Sequence, residues 1–322
     1  MNLSVFTRRR AAREGIGLGE LAPAKPVLPA LLKSMRPHQW LKNLLVLVPL
    51  LLIAPRAGIS DVLTFLSGFL LFGLLTSGTY LINDILDVEA DRKHPRKQQR
   101  PIASGDLPLQ VAAAAATLLI VVAVTGSALL SATFLLTLLA YLVFTLGYSF
   151  ILKRIPLVDV LVIASLFTMR IVAGMSLADQ PPSEWLLMFS IFFFFSLALM
   201  KREVELGVMS QAGAKTLQGR GYGLDDRAFV MSFGIASGVA SLVVFALFIS
   251  SLAQQAASPY ASPVFLWGAM AALSYWMMRM WLLTTRGVMD DDPILYAAGE
   301  RASLILGGLM AAFVLAAQLV RI

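Results

Sequence analysis

The sequence predicts an all-α, polytopic membrane protein with nine transmembrane helices. Three observations carry this reading. First, 58% of the 322 residues are hydrophobic and only 14% are charged, where a soluble domain carries roughly a quarter; the mean hydropathy is +0.78. Second, the apolar residues gather in runs that approach the ~20 residues needed to cross a hydrocarbon core of about 30 Å. Third, no run shows the alternation of an outer-membrane strand, so the spans are helices, which satisfy their own backbone hydrogen bonds in lipid.

Taken in chain order, the first segment is MNLSVFTRRRAAREGIGLGELAPAKP. It is basic and has no apolar h-region, so it is not a signal peptide. Residues 1–30 are expected to form a disordered cytoplasmic tail, and 31–322 the membrane domain. Spans are expected near 40–55, 62–83, 110–130, 132–152, 156–177, 184–203, 228–252, 263–285 and 302–320. The third and fourth are separated only by a tight turn at Ser131. Lysine and arginine set the orientation. Eight lie between the N-terminus and Lys42. More follow in the second, fourth, sixth and eighth connections, among them Arg92, Lys153, Lys215, Arg220 and Arg286. The opposite side holds only Arg56 and Arg321. The chain therefore reads as an integral protein of the inner (plasma) membrane, N-terminus cytoplasmic and C-terminus outside. Its net charge of +7 sits on one membrane face, where it attracts anionic lipid or anionic substrates. Nucleic acid is not an expected partner, because no soluble basic domain would hold it. The chain has no cysteine and only two histidines, His38 and His94. This excludes thiolate chemistry and argues against a His-based zinc site or a Ser-His-Asp triad.

The second span runs into NDILDVEADR. If the helix continues through this motif, Asp84, Asp87 and Asp91 fall at i, i+3 and i+7 on one face, with Asn83 beside them. Glu89 points elsewhere. Three carboxylates on one stripe repel, and a divalent cation relieves that repulsion. An oxygen-only donor set of Asn83, Asp84, Asp87 and Asp91 suits a hard ion such as Mg²⁺, which prefers to share its coordination with phosphate oxygens. The sequel RKHPRKQQRPIASG supplies Arg92, Lys93, Arg96, Lys97 and Arg100, cations that would neutralise the phosphates a metal bridges.

NDxxDxxxD on the second span, followed by RPIASG, resembles the UbiA superfamily of intramembrane prenyltransferases over nearly the whole chain after about residue 30. The resemblance implies a helical bundle around a central cavity open to the cytoplasmic side, Mg²⁺ bound by aspartates, a diphosphate leaving group and a polyprenyl lipid substrate. The second aspartate motif of aromatic-prenylating members, DxxxD after helix 6, is missing. That segment reads KREVELGVMSQAGAKTLQGRGYGLDD. RPHQWLKN, YLINDILDVEADRKHPRK and KREVEL instead resemble the decaprenyl-phosphate phosphoribosyltransferase branch. There the donor is phosphoribosyl pyrophosphate and the acceptor a polyprenyl monophosphate. This implies Asp84, Asp87, Lys97 and Arg100 as catalytic groups around Mg²⁺ and a phosphorylated donor, with Lys42, Asn83, Arg92 and Lys201 as substrate contacts. Aromatic polyprenyl transfer from a polyprenyl diphosphate is the alternative. An ion-coupled transporter is a third reading, disfavoured because no paired interruption of hydropathy is seen.

Other positions weigh a functional role against an ordinary one. Arg170 lies within the fifth span, where a charge is expensive and should face the cavity or a partner. Arg279 is similar but could snorkel. Tyr148 and Lys153 fit an interface belt and also a phosphate contact. Arg202 and Glu205 follow helix 6 as candidate substrate contacts. Asp159 suits a helix N-terminus, Asp290, Asp291 and Asp292 suit a solvated loop, and the run Phe192–Phe195 suits packing or lipid. The sequence is compatible with an oligomer.

Overall fold

The computed structural model describes residues 26–53, 57–94, 97–178, 183–211, 221–252, 260–289 and 292–321. The tail to residue 25 lies outside them, as do Arg56, Arg96, Lys215, Arg220, Asp290 and Asp291. Every regular element among the described residues is a helix.

α1 (Val27–Ser34) follows Pro26, so the tail boundary expected near 30 falls inside a helix. A 3₁₀ segment, Pro37–Leu47, runs directly into α2 (Val48–Ile53). The expected first span is therefore composite, and its 3₁₀ run is far longer than the roughly four residues usual for that geometry. α3 (Ile59–Leu86) and α4 (Val88–Lys93) flank Asp87. A 3₁₀ turn at Lys97–Gln99 precedes α5 (Pro101–Ser104). α6 (Leu109–Leu130) and α7 (Ala132–Phe150) meet at Ser131, which is extended and accepts a hydrogen bond from the Phe134 N–H, the cap expected of a serine at a tight turn. A 3₁₀ turn at Leu152–Arg154 leads to α8 (Val158–Leu177), followed by α9 (Glu184–Gln211), α10 (Arg227–Leu252) and α11 (Phe265–Thr285). α12 (Pro293–Gly299) and α13 (Arg301–Leu319) end the described chain.

Seven helices among the described residues are long and apolar enough to cross a membrane: α3, α6, α7, α8, α9, α10 with the turn before it, and α13. α11 has the length, with 21 residues, but Tyr275, Arg279 and three tryptophans lower its hydropathy. The apolar exterior, such as Val143, Leu129 and Ile305, faces outward where lipid would meet it. The chain is an integral multi-pass membrane protein.

α3 packs on α6, α8 on α7 and α9, α9 on α10, and α11 on α13. The segment Pro37–Val48 wedges against α3 and α8. Gly174 permits this: a Cβ there would lie 2.2 Å from the Val46 carbonyl oxygen. Trp40 donates from Nε1 to Ser77 Oγ at 3.0 Å, fixing the wedge to α3. The wedge therefore delivers Arg36, Gln39 and Lys42 to the end of the bundle where α3, α7, α8 and α9 enclose a cavity.

Candidate active site

Asp87 (φ −92°, ψ 5°) breaks α3 from α4, so the helix expected to run through the motif ends at Leu86. Helical bonding still crosses the break. Asp87 N–H donates to Asn83 O at 2.9 Å and Asp91 N–H to Asp87 O at 2.8 Å. The motif's acids separate into two groups. Asn83 and Asp87 line the cavity. Asp84 and Asp91 are buried and do not line it. Arg100 Nη1 reaches both, at 3.1 Å to Asp84 and 2.6 Å to Asp91. Arg36 Nη2 adds a second bond to Asp84 at 2.5 Å. Lys153 Nζ holds both oxygens of Asp87, at 2.8 and 2.9 Å, and Asn83 Nδ2 donates to Asp87 Oδ2 at 3.2 Å. The repulsion expected among the acids is thus relieved by three protein cations.

The donor chemistry fits Mg²⁺. Asp87 and the Asn83 amide bring hard oxygen donors to the cavity wall, where Lys153 sits against Asp87. Among the described residues no three acidic or histidine side chains converge into a preformed cage. Mg²⁺ does not need one, because it is commonly held by one or two carboxylates, water and substrate phosphates.

The cavity measures ≈ 500 Å³. Its wall carries Arg36, Lys42, Lys97, Arg100, Lys153, Arg170 and Lys201 against three carboxylates, Asp87, Glu205 and Asp292. Such an excess of cations in a confined space attracts polyanions. Arg36 has a left-handed backbone (φ 52°, ψ 58°), uncommon for a residue with a side chain. This conformation, immediately before Pro37, accompanies a guanidinium placed on Asp84 and over the Tyr80 ring, 5.2 Å from its centroid. Arg170 is buried. It donates to Asn43, to the Leu166 carbonyl and to Tyr141 Oη, at 3.1, 2.7 and 2.8 Å. It lines the cavity.

Lys42 and Lys201 both donate to Asp292 Oδ2, at 2.7 and 3.1 Å. Asp292 also caps α12 through the Ile294 N–H at 3.1 Å. Burial opposes its ionisation, but Lys201 and Lys42 outweigh that and hold the carboxyl well below its ordinary range. The solvated loop expected here is replaced, at Asp292, by a buried ion pair. The sequence signal was the Asp-Pro pair that opens α12, which reads as a helix cap.

Lys97, Arg100, Tyr148, Lys153, Lys201 and Glu205 also line the cavity. Besides Asp84 and Asp91, two candidates do not. Arg92 bonds the Ala103 carbonyl at 3.2 Å and Glu89 at 2.9 Å, away from the cavity. Arg202 lies on a different face of α9 from Lys201, because adjacent residues on a helix are about 100° apart. It pairs with buried Asp159 at 2.8 Å and with Glu205. Tyr222 Oη donates to Asp159 at 2.7 Å and accepts from Leu157 N–H at 2.7 Å; burial pushes its phenol well above the ordinary range. Asp159 therefore does more than favour a helix N-terminus. Arg279 pairs with Glu300. Sequence reasoning missed Arg36, Tyr80 and Asp292 as site residues, although the quoted segments RPHQWLKN and YLINDILDVEADRKHPRK contain the first two.

The model of the UbiA prenyltransferase family matches residues 44–304. An uncharacterised protein, y4nM, of Sinorhizobium fredii is 41% identical over 305 residues, 94% of this chain and 59% of that protein. The decaprenyl-phosphate phosphoribosyltransferase of Mycolicibacterium smegmatis is 40% identical over 198 residues, 60% of this chain and 62% of that protein. The chain thus spans about three fifths of the length of each of these two relatives. A solved UbiA homolog from Archaeoglobus fulgidus, bound to GPP and Mg²⁺, has a TM-score of 0.66 at 16% identity, covering 89% of this chain and 99% of its own. On the family match and this shared fold, the chain belongs to the UbiA prenyltransferase family.

Proposed function

We propose that the chain is an Mg²⁺-dependent intramembrane transferase that moves phosphoribosyl from phosphoribosyl pyrophosphate to a polyprenyl phosphate, with loss of diphosphate. The observation that carries this reading is the cavity wall itself, with seven cationic side chains against three carboxylates. That excess suits a donor carrying more phosphate than a prenyl diphosphate. The stretch of similarity to the decaprenyl-phosphate phosphoribosyltransferase supports it.

Arg36, Lys97, Arg100 and Lys153 border the Asn83–Asp87 wall and would receive the diphosphate oxygens. Asp84 and Asp91 fix Arg100 from behind, so its charge is held in place before substrate arrives. Mg²⁺, held by Asp87 and Asn83 with Asp84 and Asp91 behind them, would neutralise further charge on the leaving group. The ribosyl C1–oxygen bond breaks and its electron pair leaves with diphosphate. A bond forms from the same carbon to an acceptor phosphate oxygen, which is already ionised and needs no general base. The lysine and arginine asymmetry supports a cavity opening to the cytoplasm and nine crossing segments, including Pro37–Ile53 and α11.

Aromatic polyprenyl transfer is the second reading, favoured by the likeness to a structure bound to GPP. Purified protein with Mg²⁺ would be given radiolabelled polyprenyl monophosphate and phosphoribosyl pyrophosphate, and in parallel polyprenyl diphosphate and 4-hydroxybenzoate. Product in the first reaction alone is expected. Product in the second alone would replace the proposal with aromatic transfer.

A further inference from the structure

The cations of the cavity fall on two sets of elements. Arg36 and Arg100 bond Asp84, and Lys153 bonds Asp87, beside the Asn83–Asp87 wall. Lys42 and Lys201 belong to the 3₁₀ wedge and α9, and converge on one oxygen of Asp292. Arg170, close to them, has no carboxylate partner among the described residues; its hydrogen bonds go to Asn43, Leu166 and Tyr141. Lys42 and Lys201 therefore share one carboxylate, and Arg170 beside them has none. Such a wall has unmet demand for negative charge, which a dianion supplies and a single carboxylate does not.

The surroundings of this cluster are apolar on one side. Lys42 Nζ and the Arg170 guanidinium both lie over the Phe167 ring, at 5.8 and 5.0 Å. Phe167 begins a chain of ring contacts. It stacks on Phe194 at 5.0 Å, Phe194 meets Phe193 at 5.2 Å, Phe193 meets Phe189 at 5.4 Å, and Phe189 meets Phe245 at 5.8 Å. Phe189 and Phe245 line a second, apolar cavity of ≈ 160 Å³. A doubly charged head beside an aromatic track matches an amphiphile, and a free sugar phosphate has no use for the track.

We propose that Lys42 and Lys201 hold the phosphate monoester of the polyprenyl acceptor, with the Asp292 carboxylate occupying that phosphate's place until it is displaced. The donor diphosphate is thereby left to the Arg36–Arg100–Lys153 side. This deepens the proposed transfer and rests on its reading of a phosphorylated lipid acceptor.

The test is equilibrium binding to the purified full chain in detergent, using farnesyl phosphate, farnesol, ribose 5-phosphate and phosphoribosyl pyrophosphate as separate probes. Lys42→Gln and Lys201→Gln should each weaken farnesyl phosphate about tenfold or more, the scale of one charge-assisted bond. Farnesol, ribose 5-phosphate and phosphoribosyl pyrophosphate should change less than about twofold. Asp292→Asn should tighten farnesyl phosphate by several fold, a gain that misfolding cannot produce. Loss of ribose 5-phosphate or phosphoribosyl pyrophosphate binding in the lysine variants, with farnesyl phosphate unchanged, would overturn the assignment and give the cluster to the donor. Unchanged or weaker farnesyl phosphate binding in Asp292→Asn would overturn the displacement. If the unaltered protein makes no phosphoribosyl product yet binds farnesyl phosphate through the lysines, the donor assignment fails and this site stands.

Discussion

Asp87 is the motif acid that faces the cavity, and its side chain is 31% exposed. Its removal should spare the bundle while leaving the diphosphate wall without its carboxylate. Asp87→Asn is expected to lower turnover by about 10²–10³-fold with an unchanged far-UV circular dichroism spectrum and elution volume. Near-normal turnover would remove Asp87 from the chemistry. Asp159 presents the opposite case, because both it and Arg202 have no exposed side-chain surface. Asp159→Ala leaves the guanidinium buried beside Glu205 alone and should destabilise the fold by about 3–5 kcal/mol, read as a fall in thermal midpoint in detergent. Asp292 has a depressed pKa, so its contribution to stability is complete above the unfolded carboxyl value, near 3.9. It is lost only as pH falls through the lower folded value. Asp292→Asn should therefore lower the thermal midpoint at pH 6, where the carboxylate and both lysines are charged; an unchanged midpoint at pH 6 would refute the ion-pair account.

At the scale of elements, the RPIASG segment explains itself by backbone chemistry. Pro101 opens α5 and Gly105 ends it with φ 85°, the left-handed conformation that a Cβ disfavours. Gly105→Ala meets no neighbour and should cost about 1 kcal/mol from conformation alone. Gly174 is different, since a Cβ there would strike a backbone oxygen that no rotamer change can move. Gly174→Ala should separate α8 from the Pro37–Val48 wedge and cost about 1–3 kcal/mol, checked by thermal midpoint and by loss of Trp40 burial in fluorescence quenching. The element boundaries were legible where apolar runs meet helix ends, as at α6 and α10. They were not legible at α9, which continues eight residues past the expected 203 to Gln211. Hydropathy reports where a helix leaves lipid, and KREVEL leaves lipid without leaving the helix. The wedge was misread for the converse reason: Pro37–Ile53 is apolar enough to suggest one span, but its hydrogen bonding is divided between 3₁₀ and α geometry.

At the scale of the whole molecule, the proposed orientation can be tested directly, because a chain without cysteine accepts single reporters without background. Lys93→Cys, exposed near the cavity end, should react with an impermeant maleimide in inverted vesicles and stay silent in intact spheroplasts. Ala261→Cys, exposed before α11, should show the reverse. Labelling of both from one side would refute the topology. The sequence by itself determined the membrane class, the helical fold and the acid-then-base motif, because hydropathy and i, i+3, i+7 spacing are local properties of one segment. It also placed Lys97, Arg100, Lys153 and Arg170 among the candidates that do line the cavity. Only the tertiary structure decided which acids face that cavity, that Arg92 and Arg202 turn away from it, and that Asp292 joins Lys42 across 250 positions of chain. Those outcomes depend on the azimuth at which each helix packs and on where the wedge enters. Both are set by contacts between distant residues, such as Gly174 against Val46, and no local pattern records them.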